Sequence, residues 1–268
     1  MDEFANNFCL QEFNYLIQNI EMNPNYENRL DPFNELCRYE DIRTYKDNRV
    51  EIKSKNKYIN ASWIHMPYYN YFIATQGPLD STIEDFWEMC FSYNVNVIVM
   101  LCKLIEGENE KCANYWEAKL QNYEIIEIEK NKLDEGLILR KFKIINKNNY
   151  KTKNINHIHL TSWDDHTAPI NNYYKIIEII KFVEKYKGNS PAIVHCSAGV
   201  GRTGTFISVF NLYHEIIEQI QNKFKKEIKF SILNLVRKLK EMRLHLVEND
   251  DQYIFLYQFA QKLLNEKN

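Results

Sequence analysis

The chain has 268 residues, of which 45% are hydrophobic and 26% are charged, and its formal net charge is -2. These values predict a folded protein of one large or two small domains and exclude wholesale disorder. Near-neutral charge argues against a dedicated nucleic-acid binder, because such proteins carry an excess of Lys and Arg. No apolar run reaches the ~18 residues that a membrane-spanning helix needs, so we expect no membrane span.

The first residues and the cysteines indicate the compartment. The start, Met-Asp-Glu-Phe, lacks the basic and apolar regions of a signal peptide, which favours a cytoplasmic protein. The six cysteines are scattered and form no C-x-x-C pair. We therefore expect reduced thiols rather than a disulfide framework or a zinc site.

Apolar residues at helical spacing predict a helix over 3–22, which Pro24 ends. Short β-rich segments follow, at 50–52, 71–74, 95–101, 123–128, 137–145, 155–160 and 191–195, with one helix between them at 82–92. Later helices are predicted at 171–187, around 206–216, at 229–243 and at 250–265. Without a repeat or a linker, this pattern indicates a single α+β or α/β-like domain over 1–268, with an N-terminal helical segment at 1–24 and a core at 25–268.

One segment combines a predicted strand, a Gly-containing loop and the start of a predicted helix. Backbone N–H groups at such a helix start converge on one point, where the helix dipole favours an anion. Glycine tolerates the tight curl of the backbone, and arginine offers a planar fork for two phosphate oxygens. A thiol in this field is expected to be a thiolate nucleophile beneath a bound phosphoryl group. The segment reads His195, Cys196, Ser197, Ala198, Gly199, Val200, Gly201, Arg202, Thr203, Gly204.

A cysteine followed six residues later by an arginine is a weak pattern by itself, and it also occurs at Cys37 and Arg43. That second pair encloses no glycine and precedes no strand-to-helix turn, so we interpret it as coincidence. The alternative for Cys196 is a buried structural cysteine beside a helix start. The histidine before it, the two glycines after it and the following Thr-Gly favour the anion site.

The segment at 195–204 resembles the signature loop of the cysteine-dependent, tyrosine-specific protein phosphatases. Three further segments resemble motifs of that family in the family's order: 58–62 (YINAS), 75–78 (TQGP) and 111–116 (KC..YW). Together the four matches favour family membership over coincidence. The resemblance implies a central, highly twisted mixed β-sheet flanked by helices, with the signature loop between a strand and a helix.

The resemblance also implies a proton donor for the departing tyrosine. Residues 163–169 (WDDHTAP) resemble the family's mobile loop W-P-D-x-G-x-P, which implies Asp165 as general acid and Trp163 as a hinge residue. Asp164 and Thr167 stand where the family has Pro and Gly. We expect Asp164 to raise the pKa of Asp165 by like-charge repulsion, or the two changes to shift the balance between open and closed loop.

Substrate recognition is implied at 36–41 (LCRYED), where the family has KNRY followed by x-D. Tyr39 is implied as an aromatic wall that deepens the pocket, so that phosphotyrosine reaches the bottom and phosphoserine does not. Asp41 is implied to bind backbone amides of the substrate. Because Leu36 and Cys37 replace Lys and Asn, we expect the outer surface of this loop to select different flanking sequences.

Near the C-terminus, residues 248–253 (ENDDQY) align with the family's QT..QY. Gln252 matches the second Gln, whereas Glu248 replaces the Gln that places water for hydrolysis of the cysteinyl phosphate. The charge of Glu248 would repel the phosphorylated cysteine, so we expect retained activity with a slowed second step. Supporting roles are implied for Glu106 beside Arg202, Lys111 near Asp165, Thr203 behind the leaving thiolate, and His195, which bonds the backbone of the cysteine loop.

The sequence thus predicts a phosphatase for phosphotyrosine-containing proteins that needs no cofactor, because the loop itself supplies the positive field. One rival is a phosphotyrosine-binding module with poor turnover, and another is a dual-specificity or lipid phosphatase. The composition, rich in asparagine, isoleucine and lysine, resembles that of phosphatases carried by wasp bracoviruses, which would place the protein in the cytoplasm of the host cell. The oligomeric state stays open.

Overall fold

A seven-stranded mixed sheet organises the computed structural model, which describes residues 3–53, 57–67, 71–222 and 227–267. Its strands lie in the order β1-β2-β9-β3-β8-β7-β6, and β4 and β5 form a separate small hairpin. The strands are β1 Ala61–Ile64, β2 Phe72–Thr75, β3 Val97–Met100, β4 Ile105–Glu106, β5 Asn109–Glu110, β6 Tyr123–Asp134, β7 Leu137–Asn146, β8 Thr152–Leu160 and β9 Ala192–His195.

Helices pack against this sheet and against one another. They are α1 Glu3–Leu16, α2 Pro24–Glu27, α3 Ile83–Ser92, α4 Tyr173–Lys187, α5 Gly201–Gln221, α6 Ile232–Met242 and α7 Asp250–Lys267, and α1 continues as a π-helical turn at Ile17–Glu21. Helix α4 contacts β3 and β8, α5 contacts β9, and α7 packs on α5 and α1. The predicted mixed sheet with flanking helices is therefore confirmed.

The central strands bring the loops that matter to one edge of the sheet. β9 runs parallel to β2 and β3, with His195 level with Thr75 on one side and Met100 on the other. All three strands are buried along their whole length, as the centre of a covered sheet requires. Because their carboxyl ends coincide, the segments that follow them converge, which is the usual place for a ligand in open α/β sheets.

One local prediction was wrong, and one element was missed. Residues 50–52 are not a strand, because only Arg49 bridges Ser62 and Val50 donates a single backbone hydrogen bond to Ala61. The strand in that part of the sheet is β1, and its short, fully paired run begins within the YINAS segment and ends at Ile64. The hairpin β4–β5 was also not predicted, since its turn at Gly107 lies among charged residues without apolar alternation.

Within the described ranges, no helix is both long enough and apolar enough to cross a bilayer.

Candidate active site

The loop after β9 curls as its glycines require. Gly199 has a φ of +73°, and a Cβ there would lie 2.2 Å from the carbonyl oxygen of Thr75. Any larger residue would therefore clash with the end of β2 as well as strain the backbone. At Gly201, where α5 begins, a Cβ would lie 2.5 Å from Oε2 of Glu248. Gly199 is needed because the backbone of β2 approaches so closely, whereas at Gly201 the close atom is the end of a flexible side chain.

Arg243, which the sequence analysis did not single out, holds the outer side of this loop. Its guanidinium is fully buried and donates to the carbonyl oxygens of Gly199 (2.9 Å) and Ala198 (3.0 Å). The amide of Gly77 donates to the carbonyl oxygen of Ser197 at 2.8 Å. In a planar trans peptide the N–H points away from the C=O, so the amides of the next residues face the opposite side of the loop. The loop can therefore present several N–H groups to an anion.

Cys196 lines a cavity of about 230 Å³ on that side. The hydroxyl of Thr203, in the first turn of α5, donates to its Sγ at 3.3 Å. The other predicted residues that line the cavity come from five separate segments, and they are Tyr39, Asp41, Lys111, Asp165, Ser197, Ala198, Gly201, Arg202 and Glu248. The alternative of a structural cysteine packed into the core does not describe this arrangement.

Arg202 joins the loop to two other segments. Its Nη1 donates to Oε1 of Glu106 (2.7 Å) and to the carbonyl oxygen of Trp163 (3.1 Å), and its Nη2 donates to Oδ1 of Asp165 (2.8 Å). Burial would lower the pKa of Arg202, but the facing Cys196 and the bond to Glu106 raise it above its usual value. The guanidinium is a permanent positive charge at the edge of the cavity, oriented by three partners.

Asp165 lies across the cavity between two cations. Besides Arg202, Nζ of Lys111 donates to its Oδ2 at 2.6 Å. Burial alone would raise the pKa of Asp165, but the bond from Lys111 and the charge of Arg202 outweigh burial and lower it. The expectation that Asp164 raises this pKa was wrong, because the Asp164 side chain is 79% exposed and faces Lys103 at 3.8 Å.

The 163–169 loop is folded over the cavity and bonded internally. Nε1 of Trp163 donates to the carbonyl oxygen of Thr167 at 2.9 Å, and the Thr167 hydroxyl donates to the carbonyl oxygen of Asp164 at 2.8 Å. Nδ2 of Asn249 reaches across from the start of α7 to the carbonyl oxygen of His166 at 3.0 Å. The threonine that replaces glycine therefore contributes a bond to the closed arrangement.

Tyr39 and Cys37 face different parts of the site. The Tyr39 hydroxyl lies 2.8 Å from the hydroxyl of Ser197, which fixes its ring at the cavity wall. Cys37 is buried, with Sγ 3.0 Å from the hydroxyl of Tyr58 and 3.3 Å from Nδ2 of Asn60. From the sequence we expected Cys37 to contribute to the outer surface of its loop. This was wrong, because the chain turns the side chain toward the core.

Glu248 and Gln252 meet at the start of α5. The backbone N–H of Glu248 donates to Oε1 of Gln252 at 3.0 Å, while Nε2 of the fully buried Gln252 has no partner among the described residues. Burial raises the pKa of Glu248, and His166, whose Nδ1 is 3.6 Å from Oε2 of Glu248, opposes that rise. An unsatisfied buried amide next to a carboxyl group is a suitable place for a water molecule.

His195 lies beneath the loop rather than in the cavity. Its Nδ1 is 3.1 Å from the carbonyl oxygen of Cys196, and its Nε2 is 3.0 Å from the hydroxyl of Tyr115. Burial lowers the pKa of His195 to about 3, so the ring is neutral at physiological pH. Tyr115 also bonds His157 at 2.8 Å, a buried connection for which the sequence offered no signal beyond the KC..YW motif.

No group of three or more His, Cys, Asp or Glu side chains in the described part of the chain is arranged to hold a metal ion. The arrangement that is present joins a thiol, a ring of backbone amides, a guanidinium and a carboxyl group around one small cavity. That set of groups suits a tetrahedral anion whose central atom is attacked by sulfur.

Comparison with known proteins agrees with this geometry. The family model described as protein-tyrosine phosphatase matches residues 33–262. Tyrosine-protein phosphatase non-receptor type 20 of Rattus norvegicus is 34% identical over 236 residues, which are 85% of this chain and 54% of that protein. Receptor-type tyrosine-protein phosphatase eta of Mus musculus is 39% identical over 238 residues, 82% of this chain and 18% of that protein.

Among solved structures, the catalytic domain of human protein tyrosine phosphatase non-receptor type 18 superimposes with a TM-score of 0.82 at 25% identity, covering 96% of each chain. The same phosphatase has been solved in complex with HER2 phosphopeptides. The chain belongs to the protein-tyrosine phosphatase family. It spans about half the length of the type 20 relatives from rat, mouse and human.

Proposed function

We propose that the chain hydrolyses phosphotyrosine in proteins through a cysteinyl-phosphate intermediate. The observation that carries the proposal is the cavity in which Cys196, Arg202 and Asp165 face one another. The sulfur lies under the loop amides, where the phosphoryl group would be held. The carboxyl group lies on the far side, where the departing oxygen would be.

In the first step the thiolate of Cys196 forms a bond to phosphorus and the bond to the tyrosine oxygen breaks. Arg202 and the amides of residues 197–201 hold the equatorial oxygens, and Asp165 gives its proton to the leaving tyrosine. The phosphate dianion would compete with Asp165 for Arg202. Binding of the substrate therefore favours the protonated acid that the step requires.

In the second step water attacks phosphorus and the sulfur leaves as a thiolate, supported by the hydroxyl of Thr203. Asp165 now accepts the proton from water, and Glu248 with Gln252 places that water. The loop, Arg202 and Lys111 supply the positive charge, so the proposed reaction uses no cofactor.

Selectivity for tyrosine follows from the depth of the cavity. The ring of Tyr39 forms one wall, and its bond to Ser197 keeps it upright beside the loop. A phosphorylated tyrosine spans that depth, whereas the shorter phosphoserine does not reach the sulfur. Asp41, at the rim, would accept hydrogen bonds from backbone amides of the substrate. The proposed partner is therefore a phosphotyrosine-containing protein.

Measuring phosphate release from matched phosphotyrosine and phosphoserine peptides tests the proposal. Release from phosphotyrosine alone is expected. Equal rates would favour the dual-specificity alternative, and stoichiometric binding of the phosphotyrosine peptide without release would favour the binding module that the replacements Glu248, Asp164 and Thr167 suggest.

We also propose that residues 25–268 are the catalytic core and that 1–24 are an N-terminal helical segment of the same domain, since the family match begins at 33. We propose that the chain acts on its substrates in the cytoplasm, which would be that of the host cell if the gene is viral. Fractionation of cells that express the chain tests this location.

A further inference from the structure

The 243–249 loop, which joins α6 to α7 and carries Glu248, has an unusual backbone. His245 and Val247 have φ values of +64° and +62°. A β-branched residue such as valine rarely adopts this region, and such conformations persist only where their surroundings enforce them. Two sets of contacts, one on each side of the loop, do so.

On the inner side the loop lies directly on the first turns of α5. A Cβ at Gly204 would be 2.4 Å from the backbone nitrogen of Val247 and 2.9 Å from Cα of Leu246. The glycine therefore lets the loop approach the helix that starts at the active site. One residue further on, Glu248 extends over Gly201 into the cavity.

On the outer side the loop is held by Glu21, the last residue of the π-helical turn that follows α1. Its Oε2 lies 2.7 Å from Nδ1 of His245, and its Oε1 pairs with Nζ of Lys240. Lys240 is fully buried and also donates to the carbonyl oxygen of Val247 at 2.9 Å. Glu21 thus holds both positive-φ residues, one directly and one through Lys240.

The π-helical turn is what brings Glu21 to this place. An extra residue per turn rotates the end of the helix relative to a regular continuation of α1, and such turns occur frequently at functional sites. The neighbouring Ile20 is buried, so the turn is packed in place. The N-terminal segment therefore contacts the 243–249 loop through a buried, charged connection rather than through apolar packing alone.

We propose that Glu21 is a positioning residue: by holding His245 and Lys240 it fixes the 243–249 loop, and so the place of residue 248 over the cysteinyl phosphate. This inference rests on the proposed function and concerns its second step. Glu21 does not touch substrate. Arg243, at the start of the loop, keeps its own buried bonds to the cysteine loop and to Asn60. We therefore expect removal of Glu21 to act mainly on residues 245–248 and to leave the first step nearly unchanged.

The test uses Glu21→Gln in a Glu248→Gln background, where no charge at 248 complicates the result. Glu12→Gln is the matched control, because Glu12 lies on α1, just before the π-helical turn, and accepts hydrogen bonds from the side chains of Tyr253 (2.8 Å) and Tyr257 of α7 instead of from residues 243–249. Single-turnover mixing with an aryl phosphate follows release of the aryl alcohol for the first step and release of phosphate for the second.

We expect Glu21→Gln to slow phosphate release by about tenfold while alcohol release changes by less than about twofold, since misplacement of a reacting group costs rate. Glu12→Gln is expected to lower the melting temperature without changing the ratio of the two rates. His245→Asn should show the same slowing, because asparagine tolerates positive φ and the pair between Glu21 and Lys240 remains. This second variant replaces the first as the test if Glu21→Gln does not fold.

If the ratio of phosphate release to alcohol release is unchanged in both Glu21→Gln and His245→Asn, this inference is overturned. An equal slowing of both steps would also overturn it. The proposed function itself fails in a different way, through absence of alcohol release from the unsubstituted chain.

Discussion

At the scale of single residues, Asp165 has to be protonated to serve as an acid, although its two cationic partners favour the carboxylate. Lys111 and Arg202 together lower its pKa in the closed, substrate-free site. The pH dependence of kcat/KM reports ionisations of the free protein, so this lowered pKa sets the pH at which activity begins to fall on the alkaline side.

Lys111→Met is expected to move that alkaline limb to higher pH. Without the bond from Lys111 the pKa of Asp165 rises, and the acid stays protonated to higher pH. The measurement is the pH profile of kcat/KM with a phosphotyrosine peptide. Lys103→Met removes a lysine whose ammonium group lies 3.8 Å from the exposed Asp164, and it should leave the limb in place. A limb that stays fixed or moves to lower pH in Lys111→Met would contradict this account of Asp165.

Glu248→Gln is expected to speed the second step by about tenfold, because it removes a charge from beside the phosphorylated sulfur while keeping a group that bonds water. Burial already raises the pKa of Glu248, which indicates that the carboxylate is poorly solvated where it lies. Phosphate release in a single turnover measures the effect. Release that is unchanged or slower would show that the carboxyl group does not hinder hydrolysis.

The residues also show where prediction from sequence stops. The meeting of Cys196, Arg202 and Asp165 was predicted because motif spacing and resemblance assign each to a known segment. The contact of Arg243 with the cysteine loop was not predicted, because its partners lie more than forty positions away and a lone arginine near a helix end carries no pattern. Of the two effects expected from Asp164 and Thr167, the raised pKa of Asp165 was wrong, since this pKa depends on which neighbours face the carboxyl group and not on which are adjacent in sequence.

At the scale of elements, the 163–169 loop is the part whose movement the reaction needs. The hydroxyl of Thr167 bonds the carbonyl oxygen of Asp164, and the carbonyl oxygen of Thr167 accepts from Trp163. The first of these bonds exists only because threonine stands where the family pattern has glycine. We predict that this bond favours the arrangement seen here, in which Asp165 contacts Arg202, over an open loop.

Thr167→Val keeps the shape of the side chain and removes that bond. We expect kcat with a phosphotyrosine peptide to fall by about twofold to fivefold, the effect of one exposed hydrogen bond on the population of closed loop. Rates with an aryl phosphate whose leaving group needs no proton should change less. A rate with the peptide that equals the unsubstituted rate would contradict a role for this bond in closure.

Elements differed in how well they could be predicted. The helices at 82–92, 171–187 and 250–265 were predicted within a few residues because their apolar spacing spans several turns. Short elements were not predicted as well. Residues 50–52 favour a strand by composition but form a single backbone hydrogen bond to β1, and the π-helical turn after α1 has no sequence signature. Such segments take their form from tertiary contacts, which outweigh the preferences of three to five residues.

At the scale of the whole molecule, the sheet order explains why segments distant in sequence meet. β9 lies between β2 and β3, so the cysteine loop, the Gly77 turn and the hairpin that carries Glu106 emerge at one edge. The 243–249 loop and the 163–169 loop close over the same edge from α6 and β8. The fold class was predictable from the alternation of strands and helices, whereas this convergence required the strand order.

The measurement that tests the central claim most directly is capture of the covalent intermediate. The chain is mixed with a phosphotyrosine peptide, denatured within one turnover, digested and analysed by mass spectrometry. We predict phosphate on the sulfur of Cys196, and neither phosphate nor turnover in Cys196→Ser. Turnover that persists in Cys196→Ser, or that proceeds without a phosphorylated Cys196 in the unsubstituted chain, would contradict the account.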